Sequence, residues 1–246
     1  MCVVPKAVIM LLCIQVGCLF FHGQRYYHFI TKTPLPQKNF LILGFMGGRE
    51  PWDNEKRGVR KLALKLRSMN LPGVHVETVE NKKRQLAIEL ILNAFDRNQD
   101  GKLDEEERSA ARLILYGQSF GGGAAVIKLA RQLQKMDVPV LLTIQIDSVG
   151  TGDKVVPSNV SLAANLFQRN GLIIRGEPQI RPEDPQKTQI IGNFEFDYRN
   201  KDIDLSEVSW FKRIFRTAHT KMDFDPDVWL KVEEIILSVI GKSGFF

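Results

Sequence analysis

The chain has 246 residues, a length that allows one substantial hydrophobic core and is typical of a single domain. Hydrophobic residues make up 44% and charged residues 25% of it, which excludes a largely disordered protein. The formal net charge is +6, but the basic residues are scattered, and the denser run at residues 56–67 has the hydrophobic spacing of an amphipathic helix. A nucleic-acid interface needs clustered basic residues with aromatic ones between them, so we expect no nucleic-acid partner. The positive charge favours, at most, association with an acidic membrane surface.

The first 23 residues are predicted to be a targeting segment. Lys6 precedes an apolar run at residues 7–21, which is short for a membrane span of about 20 residues but suits the hydrophobic region of a signal peptide. Cleavage, lipid attachment at Cys18 and an uncleaved anchor all stay open. All three cysteines lie at or before Cys18, so the folded domain must be held together by its core or by a bound ion. We therefore expect a protein that is exported (extracellular or periplasmic) or anchored to the membrane.

Residues 24–37 are predicted to be a linker, and from residue 38 onward strand-like and helix-like segments alternate. Several strands are apolar throughout, which is typical of a parallel sheet with helices on both faces. We therefore predict one α/β domain at residues 38–246, of the three-layer type with a mostly parallel sheet. In such sheets ligands bind beyond the carboxyl ends of the strands. The predicted strands are at residues 40–43, 74–79, 113–116, 138–146 and 188–196, and a final helix starts at Pro226 after the capping residue Asp225.

Residues 117–121 have the sequence Gly-Gln-Ser-Phe-Gly. A G-x-S-x-G pattern alone is weak, but here it follows an apolar strand and opens a helix, the context in which a serine projects from a strained turn. In this motif, and in the order of its elements after residue 38, the chain resembles the α/β-hydrolase superfamily. The resemblance implies a serine hydrolase of esterase, lipase or thioesterase type, with Ser119 as the nucleophile. It implies a small-molecule or lipid ester as the substrate, and we expect no organic cofactor.

In the superfamily an acid and then a histidine follow the nucleophile along the chain. Among the four histidines of the sequence, His219 lies between the last predicted strand and the final helix, where the superfamily has its base. Asp147 ends the strand after the nucleophile helix, a position that some lipase-like members use for the acid, whereas most use the next strand. The resemblance therefore implies Ser119, His219 and Asp147 as the catalytic residues, with Asp153 and Asp197 as alternative acids.

The same resemblance implies an oxyanion hole made of two backbone N–H groups. One belongs to Phe120, the residue after the nucleophile. The other belongs to the glycine-rich loop after the first strand, where Phe45 or Met46 is the expected donor. The polar segments 176–186 and 200–217 are both candidates for a lid over the site.

Residues 96–107 resemble the calcium-binding loop of an EF-hand. Oxygen-bearing side chains occupy its first, third, fifth, ninth and twelfth positions, and Gly101 at the sixth permits the sharp turn that such a loop needs. The exiting helix is short and no second loop is present for pairing, so we expect a structural Ca²⁺ rather than a calcium sensor. The alternative to an enzyme is a non-catalytic calcium-binding or interaction protein on the same scaffold. The ligands implied are Asp96, Asn98, Asp100, the backbone carbonyl of Lys102, Asp104 through a water, and Glu107.

Overall fold

The computed structural model describes residues 23–171, 174–206, 208 and 217–242. Its strands are β1 (Phe40–Phe45), β2 (Val74–Val79), β3 (Arg112–Gln118), β4 (Val140–Ile146), β5 (Val155–Val156), β6 (Val160–Phe167), β7 (Arg181–Pro182) and β8 (Gln189–Glu195). Six of them form one sheet in the order β2-β1-β3-β4-β6-β8, in which every neighbouring pair is parallel. The short strands β5 and β7 pair separately, also in parallel.

Helices lie on both faces of this sheet because its strands are apolar on both sides. Successive residues of a strand point to opposite faces, so Leu41 of β1 packs into one hydrophobic cluster and Ile42 into the other. The predicted α/β class with a mostly parallel sheet is confirmed. The α-helices of the described residues are α1 (Gly58–Ser68), α2 (Arg84–Phe95), α3 (Glu105–Ala110), α4 (Lys128–Gln134), α5 (Thr217–Phe224) and α6 (Pro226–Ile240).

Strand β6 is the main element that the sequence does not predict. Ser161, Ala163, Ala164 and Asn165 are weak strand formers, so the segment lacks the β-branched character of its neighbours. Tertiary pairing compensates, because β6 lies between β4 and β8 and is hydrogen-bonded on both sides. Its carboxyl end therefore lies beside that of β4.

Residues 24–37 pack against the domain, in contrast to the linker predicted for them. The side-chain amide of Gln24 donates to the carbonyl of Thr78 at 2.7 Å. Leu35 is buried, and its backbone N–H donates to the carbonyl of Ala94 at 2.8 Å. Because these contacts satisfy buried polar groups and cover apolar ones, the segment is part of the folded domain.

The predicted targeting segment lies outside the described residues, apart from Gly23. Within the described ranges, no helix is long and apolar enough to cross a membrane. Helix α6 begins as predicted: Pro226 is its first residue, and the Asp225 carboxylate accepts the backbone N–H of Asp227 at 3.0 Å.

Candidate active site

Ser119 follows directly after β3 and stands in a tight turn. Its φ is +59°, a left-handed conformation that costs energy in a residue other than glycine. The turn is fixed by backbone hydrogen bonds, since the N–H of Ser119 donates to the carbonyl of Ile146 at 2.9 Å and its own carbonyl accepts the N–H of Val149 at 3.0 Å. A π-helix at Gly121–Ile127 continues into α4. The strained serine is thus held at the carboxyl end of a central strand, as the sequence motif predicts.

Glycines beside Ser119 allow two backbone segments to come close together. A Cβ atom on Gly121 would lie 2.2 Å from the carbonyl oxygen of Phe45, and one on Gly117 would lie 2.5 Å from the carbonyl carbon of Gly121. Both contacts are with backbone, which cannot move aside as a flexible side chain can. Gly121 therefore lets the serine turn pack directly against the end of β1, and Gly117 lets the turn fold back on β3.

Ser119, His219 and Asp147 form a continuous chain of hydrogen bonds. His219 lies on α5, and its Nε2 is 3.0 Å from the Oγ of Ser119. Its Nδ1 is 2.5 Å from Oδ2 of Asp147, which follows β4 and is completely buried. A carboxylate oxygen only accepts hydrogen bonds, so this contact favours the tautomer in which Nδ1 carries the proton and Nε2 accepts the serine hydroxyl. In the sequence, His219 is 72 residues from Asp147 and 100 residues from Ser119, and the fold brings the three side chains together.

Asp153 and Asp197, the two alternative acids, lie in other surroundings. The carboxylate of Asp153 accepts the hydroxyl of Ser148 at 2.8 Å beneath the π-helix. Asp197 lies on the surface with Arg199, whose hydrogen bonds lower the pKa of this carboxyl to about 2. Among the three aspartates, Asp147 alone is hydrogen-bonded to the imidazole of His219.

In the loop after β1, the backbone N–H of Met46, one of the predicted oxyanion donors, already has a hydrogen-bond acceptor. The backbone N–H of Met46 donates to the carbonyl of Val79 at 2.9 Å, so this amide is already used by the sheet edge. Phe45 is the last residue of β1 and is paired in register with strands on both sides. Gly47 follows Met46, and a Cβ atom on Gly47 would lie 3.4 Å from the Cβ of Ser119. The loop therefore approaches the serine at Gly47, one residue beyond the predicted donors.

A small cavity of about 50 Å³ opens beside Ser119 and His219. An ion-pair cluster of the partly buried Glu50 and Arg57 with the buried Asp223 lines it: Nη1 of Arg57 is 2.7 Å from Oδ2 of Asp223, and Nη2 contacts Glu50. Burial alone would lower the pKa of Arg57, but the neighbouring carboxylates of Asp223 and Glu50 more than offset this and raise it. The cavity wall is thus strongly polar, which suits a small polar group rather than an alkyl chain.

The same cluster connects the two halves of the site. Asp223 lies one turn after His219 on α5, and Arg57 immediately precedes α1, at the end of the loop that follows β1. The backbone N–H of Gly58 also donates to Asp223, at 3.3 Å. The ion pair therefore fixes the helix that carries the histidine against the loop that approaches the serine. Sequence reasoning missed Glu50 and Arg57, because nothing in their local pattern distinguishes them from surface charges.

The candidate lid segments are only partly described. Gly176 lies against Asp147, since a Cβ atom on it would be 2.3 Å from Oδ1 of that residue. Residues 181 and 182 form β7, so part of the segment 176–186 belongs to the small second sheet. Residues 207 and 209–216 of the other candidate, 200–217, lie outside the described residues.

The loop at residues 96–107 has the backbone turn of a calcium loop, but its carboxylates accept hydrogen bonds from backbone N–H groups of the same loop. Gly101 has a φ of +83°, and the Asp96 carboxylate accepts its N–H at 2.9 Å. One oxygen of Glu107 accepts the N–H groups of Arg97 and Asn98, at 2.7 and 3.2 Å. Over the described ranges, no group of three or more His, Cys, Asp or Glu side chains is arranged to hold a metal ion.

The ligand types of this loop nevertheless fit calcium. Carboxylate, amide and carbonyl oxygens are the hard donors that Ca²⁺ prefers, and the left-handed glycine supplies the turn at the sixth position. Glu107 would have to turn from the loop amides to bind an ion bidentately. The six-residue helix α3 is short, as predicted for the exiting helix, and its N-terminus is capped by Asp104.

Comparison of the chain with protein-family models finds no match, and comparison with curated proteins finds none either. The assignment of the site therefore rests on its geometry and on the sequence motifs.

Proposed function

We propose that the protein is a serine hydrolase with an α/β-hydrolase fold that cleaves a carboxylic ester or thioester. The observation that carries this proposal is the hydrogen-bonded chain Ser119–His219–Asp147 at the carboxyl ends of β3 and β4. Its order along the chain, its strained serine and its buried acid match what acyl transfer by a serine nucleophile needs. We infer from the predicted targeting segment that the enzyme acts outside the cytoplasm or at a membrane surface.

In the proposed reaction, Oγ of Ser119 attacks the substrate carbonyl carbon while its proton moves to Nε2 of His219, 3.0 Å away. The tetrahedral intermediate collapses as the bond to the leaving oxygen or sulfur breaks, and the imidazolium returns the proton to that atom. A water molecule then attacks the carbonyl carbon of the acyl-serine and gives its proton to the same nitrogen. The second tetrahedral intermediate collapses as the bond to Oγ of Ser119 breaks, the imidazolium returns the proton to Oγ, and the carboxylic acid is released. Asp147 keeps the proton on Nδ1 and stabilises the positive imidazolium during both steps.

The oxyanion formed in each step needs preorganised donors. Phe120 follows the nucleophile and is the N-cap of the π-helix, a position whose backbone N–H has no partner within the helix. We assign the second donor to Gly47, because the Met46 amide donates to Val79 and the Gly47 backbone lies next to Ser119. Each donor of this kind typically lowers the barrier by about 3 kcal/mol.

A fluorophosphonate probe tests the enzymatic function. The folded protein is expected to form a covalent adduct on Ser119, detected as a mass increase of the peptide that contains it, because His219 activates this hydroxyl. Heat-unfolded protein is the matched control and should not react. If the folded protein stays unlabelled both with calcium and with chelator, the chain is a non-catalytic protein on this scaffold.

We also propose that the loop at residues 96–107 binds a structural Ca²⁺, held by Asp96, Asn98, Asp100, Lys102, Asp104 and Glu107. When bound, the ion would offset part of the negative charge of the four ligand carboxylates, Asp96, Asp100, Asp104 and Glu107. It would also tether α2 to the segment that leads into β3, the strand directly before Ser119. Its proposed role is support of the fold, and no step of the reaction involves it.

Calcium is therefore expected to raise the melting temperature. At about 100 times its dissociation constant, a ligand that binds only the native state adds about 2.7 kcal/mol, or about 5–10 °C for a chain of this size. Differential scanning fluorimetry of chelator-treated protein, with and without added calcium, measures the shift. Asp96→Ala should remove it, whereas Asp197→Ala, outside the loop, should keep it. An identical melt with chelator and with calcium would disprove the site.

A further inference from the structure

Gln168 is a fully buried polar residue that the reaction described above does not use. It immediately follows β6, the neighbour of β4 in the sheet, and Asp147 immediately follows β4. Parallel neighbouring strands end at the same edge of a sheet, so the two side chains meet there. The backbone holds them in place, since the N–H of Asp147 donates to the carbonyl of Leu166 at 2.7 Å.

The side-chain amide of Gln168 is satisfied on both sides. Its Nε2 donates to Oδ2 of Asp147 at 3.0 Å and to the carbonyl of Ile174 at 2.9 Å. Its Oε1 accepts the backbone N–H of Gly171 at 2.8 Å. The reversed amide would set Oε1 against a carboxylate and a carbonyl, and the amide nitrogen against an N–H group. The surroundings therefore dictate that an N–H group of Gln168 faces Asp147.

Oδ2 of Asp147 thus accepts hydrogen bonds from two side chains, Nδ1 of His219 at 2.5 Å and Nε2 of Gln168 at 3.0 Å. The backbone N–H of Gln168 approaches the other oxygen, Oδ1, at 3.4 Å. Gly176 closes against that same oxygen, where a Cβ atom would lie 2.3 Å away. The carboxylate is therefore enclosed, and a buried charge of this kind depends on the donors that face it.

We propose that Gln168 is a positioning residue, which fixes the Asp147 carboxylate in the orientation that His219 needs. The inference rests on the proposed hydrolase function. The amide acts through Asp147 and touches neither Ser119 nor His219 in the hydrogen bonds of the described residues. It also closes the turn to Ile174, so a test must separate positioning of the acid from support of that turn.

Two variants and one control make this separation. Gln168→Leu removes the amide at similar size, and Gln168→Glu keeps an oxygen for Gly171 but replaces the donor with a second carboxylate beside Asp147. Asn165→Leu is the control, because Asn165 is an equally buried amide on β6 whose side chain donates to the Glu177 carbonyl and to Asn193 rather than to Asp147. This control measures the effect of losing a buried amide without losing a hydrogen bond to Asp147.

For Gln168→Leu we expect kcat for ester hydrolysis to fall about 10- to 100-fold with KM nearly unchanged, because an oriented donor to a charged group is lost. Gln168→Glu should lose at least as much, whereas Asn165→Leu should keep kcat within about threefold per folded molecule. A KM increase without a kcat decrease, or an equal loss of kcat in the control, would assign Gln168 to the turn and overturn the proposal.

A spectroscopic measurement on the unmodified protein tests the geometry even without turnover. The Nδ1 proton of His219 and one of the two Nε2 protons of Gln168 point at the same oxygen, so an NMR cross-peak between these two protons is expected. Its absence in folded protein would refute the positioning role. If the cross-peak is present but the fluorophosphonate probe does not label Ser119, the contact between Gln168 and Asp147 exists and the hydrolase function is rejected instead.

Discussion

Replacing Ser119 with alanine is expected to remove hydrolysis, with a loss in kcat on the order of 10⁶-fold. The reason is local: Oγ is the atom that His219 can deprotonate at 3.0 Å, and alanine has none. Alanine tolerates the left-handed φ of +59° no better and no worse than serine, so the melting temperature should change little. Hydrolysis of short aryl esters, followed spectroscopically, gives the rates, and the fluorophosphonate adduct should disappear in parallel.

Two comparisons sharpen this experiment. His219→Ala should cost about as much as Ser119→Ala, and the double variant should be no worse than either, because the residues act as one unit. Ser148→Ala is the matched control: it also removes a buried hydroxyl, one bonded to Asp153 at 2.8 Å, and should keep kcat within about tenfold. Additive losses in the double variant, or an active Ser119→Ala, would mean that the serine and histidine do not work together.

Asp147→Asn is expected to lower kcat by about 10⁴-fold with the fold intact. The Oδ2 position accepts both Nδ1 of His219 and the Gln168 amide, so an asparagine that places its NH₂ group there faces Nδ1 with a donor and favours the wrong imidazole tautomer. The positive imidazolium then loses its counter-charge as well. Steady-state kinetics together with a melting curve measure both effects.

The alternative acids provide the controls for this variant. Asp153→Asn and Asp197→Asn should each keep kcat within about tenfold, because their carboxylates bond Ser148 and Arg199 rather than the histidine. If either of them loses more activity than Asp147→Asn, the acid of the triad lies elsewhere and the histidine must change its partner in the working enzyme.

Much of the fold and part of the site could be predicted because their signals are local. Strands such as β1, β3 and β4 are continuous apolar runs, and a parallel sheet buries such runs on both faces. The serine turn is encoded by glycines that only a close backbone approach requires, as at Gly121. In contrast, β6 escaped prediction because pairing with two neighbours, rather than its own residues, makes it a strand.

The sequence by itself determined the parallel α/β class, the strained turn at Ser119 and the single histidine that follows it in the chain. These features depend on the spacing of hydrophobic residues, the spacing of glycines and the order of residues along the chain, which can be read from the sequence directly. Only the tertiary structure decided which of three aspartates meets His219, that the Met46 amide is taken by Val79, and that Gln168 and Arg57 belong to the site. These facts depend on which strand ends and helix turns meet at one edge of the sheet. Contacts between residues far apart in the chain leave no pattern in either local segment, so they become visible only when the chain is folded.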